Sequence, residues 1–111
     1  MQNLYDCSVD MLDDGDMHTT PKVGGAATLC KIKSVALTLP SSGDMIDVTL
    51  FDSDGESIMS FDGLASSGKV SCEYSSEGIK AKAPLYAEVF AEQGWGTDDD
   101  PLWIVVEGDL G

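Results

Sequence analysis

The stretch LFDSDGESIMSF, residues 50–61, sets two aspartates two positions apart and follows them with a glycine. Alternating carboxylates ahead of a glycine are how an EF-hand loop begins. Such a loop also needs its glycine at the sixth position and a bidentate glutamate at the twelfth. Counted from Asp52, Gly55 is fourth and the twelfth residue is Gly63. The register is wrong for calcium. The same residues suit a β-hairpin, because an Asp-Gly pair between two alternating runs supplies the positive φ that a tight turn demands. Its aspartates are expected to solvate the tip.

Two other carboxylate clusters could hold a cation: Asp13, Asp14 and Asp16, and then Asp98, Asp99 and Asp100. Crowded carboxylates repel, and a hard divalent ion relieves that repulsion. Successive residues of an extended chain point in different directions, however, so one ion rarely collects all three. Both clusters read as solvated charge. The second is the better metal candidate because Trp95 and Trp103 flank it, but neither is assigned a metal, and no cofactor is expected.

His18 is the single histidine, so any Ser-His-Asp or Cys-His constellation has to be built on it. It lies in a polar, glycine-containing segment that holds a base poorly. No catalytic residue is assigned, and the chain is not expected to be an enzyme. Cys7, Cys30 and Cys72 are odd in number and far apart, with no C-x-x-C among them. They read as small buried hydrophobes in a reducing compartment, not as a disulfide framework or a zinc site.

The charge balance narrows the partners. Among 111 residues, 20 are acidic and 6 are basic, for a formal net charge of -14; all the basic residues are lysine. Arginine is the preferred fork for phosphates and guanine edges, and phosphate neutralisation supplies most nucleic-acid affinity. DNA, RNA and anionic membrane surfaces are therefore disfavoured. The opening residues have no basic-then-apolar leader, and no run nears the roughly 20 apolar residues of a membrane helix. Neither export nor membrane insertion is expected.

The elements that must position these residues are strands. TLCKIKSVALTL (28–39) alternates, but its apolar parity changes near Ser34, which predicts a bulge or a strand passing between sheets. MIDVTLFD (45–52) and KVSCEYS (69–75) alternate cleanly. IKAKAP (79–84), with Lys80, Lys82 and Pro84, suits a sheet edge that must refuse further pairing. LYAEVFAEQ (85–93) fits a strand better than a helix, between Pro84 and the pair Gly94 and Gly96. PLWIVVEGD (101–109) reads as a central strand covered on both faces. Strands every 8–12 residues with turn signals between them predict an all-β, antiparallel β-sandwich of six to eight strands, Ig-like or jelly-roll-like. Residues 1–27 are expected to form an extended arm or long loop with one short strand at 4–9, and residues 28–111 the sandwich. The arm is expected to be dispensable for folding.

Apolar groups in segments otherwise too polar to join a core are the candidates for contact with a partner. They are Leu4, Tyr5 and Met11 in the arm, and Trp95 and Trp103 near the rim. A second reading makes the chain a small binding module for carbohydrate or calcium, with the tryptophans as a stacking platform and Asp98 to Asp100 as ligands.

The order of a polar glycine-rich arm, LCKIKSVALTL, VTLFDSDGESI and IKAKAPLYAEV resembles that of small structural proteins of tailed bacteriophage virions, of the head decoration or cement type. The likeness is a pattern of strands and turns over residues 23 to 107. It implies a compact, non-enzymatic β module that studs and braces an assembled capsid. It further implies the major capsid protein lattice as partner, homo-oligomer contacts (a dimer or trimer) around capsid symmetry axes, and a place in the virion after assembly in the host cytoplasm. No set of functional residues carries over from that group.

Overall fold

The computed structural model describes residues 2–10, 12–13, 15, 17–21, 27–43, 45–65, 67–96 and 99–110. It is all-β: nine strands in two antiparallel sheets, with no helix among the described residues. The strands are β1 (Gln2–Val9), β2 (Met17–Thr19), β3 (Thr28–Thr38), β4 (Ile46–Phe51), β5 (Ser57–Leu64), β6 (Lys69–Glu73), β7 (Ile79–Ala83), β8 (Tyr86–Ala91) and β9 (Leu102–Leu110). One sheet runs β1-β9-β3-β6, with β7 also paired to β3; the other runs β2-β8-β4-β5.

β6 lies along Ser34–Thr38 of β3 and β7 along Thr28–Ile32. They are two halves of one strand interrupted by a turn. The Tyr74 amide donates to the Lys33 carbonyl at 2.9 Å, and the Gly78 amide closes the turn on Ser75 at 2.8 Å. Counted as one, they leave eight strands. The first, last, third and sixth form one sheet; the second, next-to-last, fourth and fifth form the other. That order is a jelly roll, one of the two forms that the strand spacing suggests.

The inner faces follow from period-two alternation. Ile46, Val48 and Leu50 of β4 and Ala87, Val89 and Ala91 of β8 turn inward against Ile32, Val35, Leu37, Ile104 and Val106 of the opposite sheet, all of them buried. Each fully buried Val, Leu or Ile contributes about 1.5–3 kcal/mol relative to an exposed one. The parity change in β3 is a bulge: its pairing with β9 shifts register between Ile32 and Ser34. Cys30 and Ile32 before the bulge, and Val35 and Leu37 after it, thereby all face the core. Gly108 of β9 lies at the same place. A Cβ there would stand 1.9 Å from the Lys31 carbonyl oxygen, so only glycine lets the two backbones meet.

Three features differ from expectation. The segment read as an arm carries β1 and β2, one in each sheet, and Tyr5, Val9 and Leu12 belong to the core. The short strand expected at 4–9 is present as Gln2–Val9, paired with residues 102–108 of β9; removing it would strip β9 of a neighbour. Tyr5, Cys7 and Val9 alternate with Asp6 and Ser8 and mark a strand, but no local signal shows that its partner is β9, far along the chain. β9 is central, as expected, but only one of its faces is buried; Trp103 and its parity mates point outward. Finally, Asp52 does not solvate its hairpin. It is buried, and its Oδ1 accepts the Asp54 and Glu56 amides at 2.9 and 3.0 Å.

Candidate docking surface

Trp103 projects from the outer face of the first sheet and is 48% exposed. Its cross-strand neighbours are Ser8 on β1 and Thr38 on β3. Two residues along β9, Val105 lies between Asp6 and Ala36, and Ala36 faces Ser71 of β6. Directly opposed residues of a sheet share a face. Trp103, Val105, Ala36, Ser8, Thr38 and Ser71 therefore make an uncharged centre, with Asp6 at the β1 end of one row and Lys69 at the β6 end of the other, on a chain of net charge -14. The side chains on either side of it, Ser8 and Thr38, are short and leave the half-exposed indole open to contact.

Trp95 is different. It is 4% exposed and forms an isolated bridge with Leu12. The Leu12 amide donates to the Trp95 carbonyl at 3.2 Å, the Trp95 amide returns a bond to Leu12 at 2.9 Å, and Nε1 donates to the Asp10 carbonyl. The indole pins the segment after β1 against the end of the sandwich.

Tyr5 is also a core residue. Its hydroxyl meets Thr20 Oγ1, which accepts the Ala87 amide at 2.8 Å. Burial, ahead of its hydrogen-bonding neighbours, pushes the phenol well above its ordinary range. Leu4 is half-buried and packs on the core; Met11 lies outside the described residues. Of the five side chains singled out for partner contact, Trp103 alone stands broadly exposed among the described residues. Tyr5 and Trp95 belong to a core that their polar sequence surroundings concealed.

The tryptophans therefore form no common platform. In the late carboxylate cluster Asp99 is exposed. Asp98 lies outside the described residues, while Asp100 Oδ2 accepts the Ser41 amide at 2.6 Å and the Ser41 hydroxyl, fastening its loop to the turn after β3. In the first cluster Asp13 is exposed, and Asp14 and Asp16 lie outside the described residues. No group of three or more His, Cys, Asp or Glu side chains among the described residues could hold a metal ion. His18 is exposed on β2, opposite Val89. Cys30 is buried, Cys7 and Cys72 are half-buried, and all three are free; burial raises the Cys7 and Cys30 thiols above their ordinary range.

The outer face of the second sheet holds aromatic groups that sequence reasoning missed. Phe51 and Tyr86 stack with ring centroids 5.1 Å apart. Further along, Met17, Phe90 and Thr49 line a cleft of about 360 Å³ with Asp47, Asp62 and Glu88. The outward parity of YAEVF in β8 was the available signal, but it had meaning only once β8 was known to lie between β2 and β4.

No protein-family model matches this sequence, and no curated protein matches it. Among solved structures, the chain is similar to one from the structure of the infectious bursal disease virus Gx strain, at a TM-score of 0.35 and 12% identity over 94% of this chain and 30% of that one. A chain of the Gt strain structure gives 0.32 and 13%, covering 99% of this chain and 30% of that one. A chain of the T13 viral particle of the same virus gives 0.31 and 11%, covering 96% and 30%. This chain thus spans about 30% of the length of those viral chains. Superpositions this loose fix no function, and the jelly-roll order rests on the pairing described above.

Proposed function

We propose that this chain is a non-enzymatic structural protein of a virion that seats on an assembled capsid and braces it as a decoration or cement protein. The observation that carries the reading is Trp103, half exposed among Ser8, Thr38, Val105 and Ala36 on the outer face of a jelly-roll sheet, on a chain otherwise dense in carboxylates. Exposed indoles in a smooth surround are anchors of protein interfaces. Jelly rolls serve as building modules of viral shells, although the fold by itself assigns no function. The net charge opposes indiscriminate association between acidic copies, while a short-range apolar anchor acts once a copy meets the particle.

Cosedimentation of the purified chain with capsids assembled from the major capsid protein of the same genome tests the reading. The wild-type chain is expected to pellet with the capsids and raise their melting temperature. Trp103→Ala is expected to remain in the supernatant while keeping its own fold. Failure of the wild-type chain to pellet, or equal pelleting of the variant, would overturn the reading.

A further inference from the structure

Four of the chain's six lysines stand together at one corner of the first sheet: Lys31 and Lys33 on β3, Lys80 and Lys82 on β7. Lys31 and Lys80 are direct cross-strand partners, an arrangement of like charges that weakens a ladder. Lys33 is joined to Asp109 at 2.5 Å and Lys82 to Asp54 at 3.1 Å. Among the described residues no ion pair joins Lys31 or Lys80 to a carboxylate. Asp109 is the cross-strand partner of Lys31 on β9, yet its carboxylate turns to Lys33.

On the same face, opposite Lys82, is Leu29, which is 61% exposed. Leu29, Lys31 and Lys80 line a hollow of about 140 Å³. Protection of a sheet edge accounts for lysines on β7. It does not account for Lys31, which is on an interior strand, or for an exposed leucine among the cations.

The matching surface is on the other sheet. There Asp47, Asp62 and Glu88 line the cleft together with the apolar Met17, 59% exposed, and Phe90. Asp47 Oδ1 accepts the Gly63 amide at 2.7 Å, which holds that carboxylate in the cleft lining. Each surface has an apolar centre, and their charges are opposite. They lie on opposite faces of one sandwich, so only a second molecule can bring them together.

We propose that a second copy of this chain is the occupant: the Leu29–Lys31–Lys80 patch of one copy seats in the Asp47–Asp62–Glu88 cleft of the next. The contact is heterologous, so it propagates into a ring or an open row. Local complementarity offsets the repulsion between acidic copies and sets their relative orientation. It does not depend on the capsid reading.

Sedimentation velocity on the full chain, from micromolar to millimolar, tests the proposal. The wild-type sedimentation coefficient is expected to rise with concentration. Lys31→Glu with Lys80→Glu is expected to stay monomeric, as is Asp62→Asn with Glu88→Gln. An equimolar mixture of the two variants is expected to form a one-to-one dimer and stop there, since each keeps one working surface. Circular dichroism checks that each variant folds. The milder pair Lys31→Gln with Lys80→Gln is expected to associate about tenfold more weakly or worse. If the lysines only guard an edge, that pair should associate more than wild type. A monomeric wild type across the range, a variant that associates like wild type, or a mixture that fails to pair would each sink the proposal.

Discussion

The Tyr5 hydroxyl meets Thr20 Oγ1 in the interior, and the same oxygen accepts the Ala87 amide at 2.8 Å. One threonine thereby joins β1 of one sheet to β8 of the other. Thr20→Val leaves a buried amide and a buried hydroxyl without this partner. The expected loss is about 1–3 kcal/mol, read by urea unfolding, and adding Tyr5→Phe should recover part of it.

Alkaline stability follows from the same phenol. Burial raises the folded-state pKa of Tyr5 above the ordinary value of 10.0. The unfolded chain then loses its proton first as pH rises. The stability contributed by the neutral phenol is fully present below the ordinary value and declines as pH climbs from there toward the folded-state value. Cys7, Cys30 and Tyr74, all raised by burial, act in the same direction. Unfolding free energy measured from pH 8 to 11 should fall at the upper end, and Tyr5→Phe should flatten that slope.

Asp52 shapes the β4–β5 hairpin by accepting two backbone amides while buried. Asp52→Ala is expected to cost about 1–3 kcal/mol, and Asp52→Asn less, since its side-chain oxygen can still accept. Added calcium should leave the wild-type melting temperature unchanged, because this carboxylate serves the turn.

Gly108→Ala places a methyl group where the Lys31 carbonyl already is. Either β9 or the β3 bulge must move. A destabilisation of about 1–3 kcal/mol or more is expected in chemical denaturation. Gly96→Ala is the control, since a Cβ there meets nothing within 4 Å.

The two tryptophans should behave oppositely. Trp95→Ala opens the end of the core and is expected to cost about 3–5 kcal/mol. Trp103→Ala should change unfolding free energy by about 0.5 kcal/mol or less. Acrylamide should quench the fluorescence that remains in Trp95→Phe, which comes from Trp103, far more than that remaining in Trp103→Phe.

Much of this architecture was legible in the chain itself. Alternation in MIDVTLFD and KVSCEYS located β4 and β6, the Asp-Gly pair located the hairpin, and the parity change near Ser34 located the bulge. These are local signals: two faces of one strand differ in polarity, and a turn needs particular φ angles. Composition likewise set a strongly acidic surface without arginine. Only tertiary structure decided which polar-looking segments enter the core. Tyr5, Leu12 and Trp95 are buried because distant segments close over them: β1 against β9, and Leu12 against Trp95. The same long-range pairing left Trp103 outside and set Lys31 beside Lys80. Burial and cross-strand juxtaposition depend on residues far apart along the chain, and no window of neighbouring residues contains them.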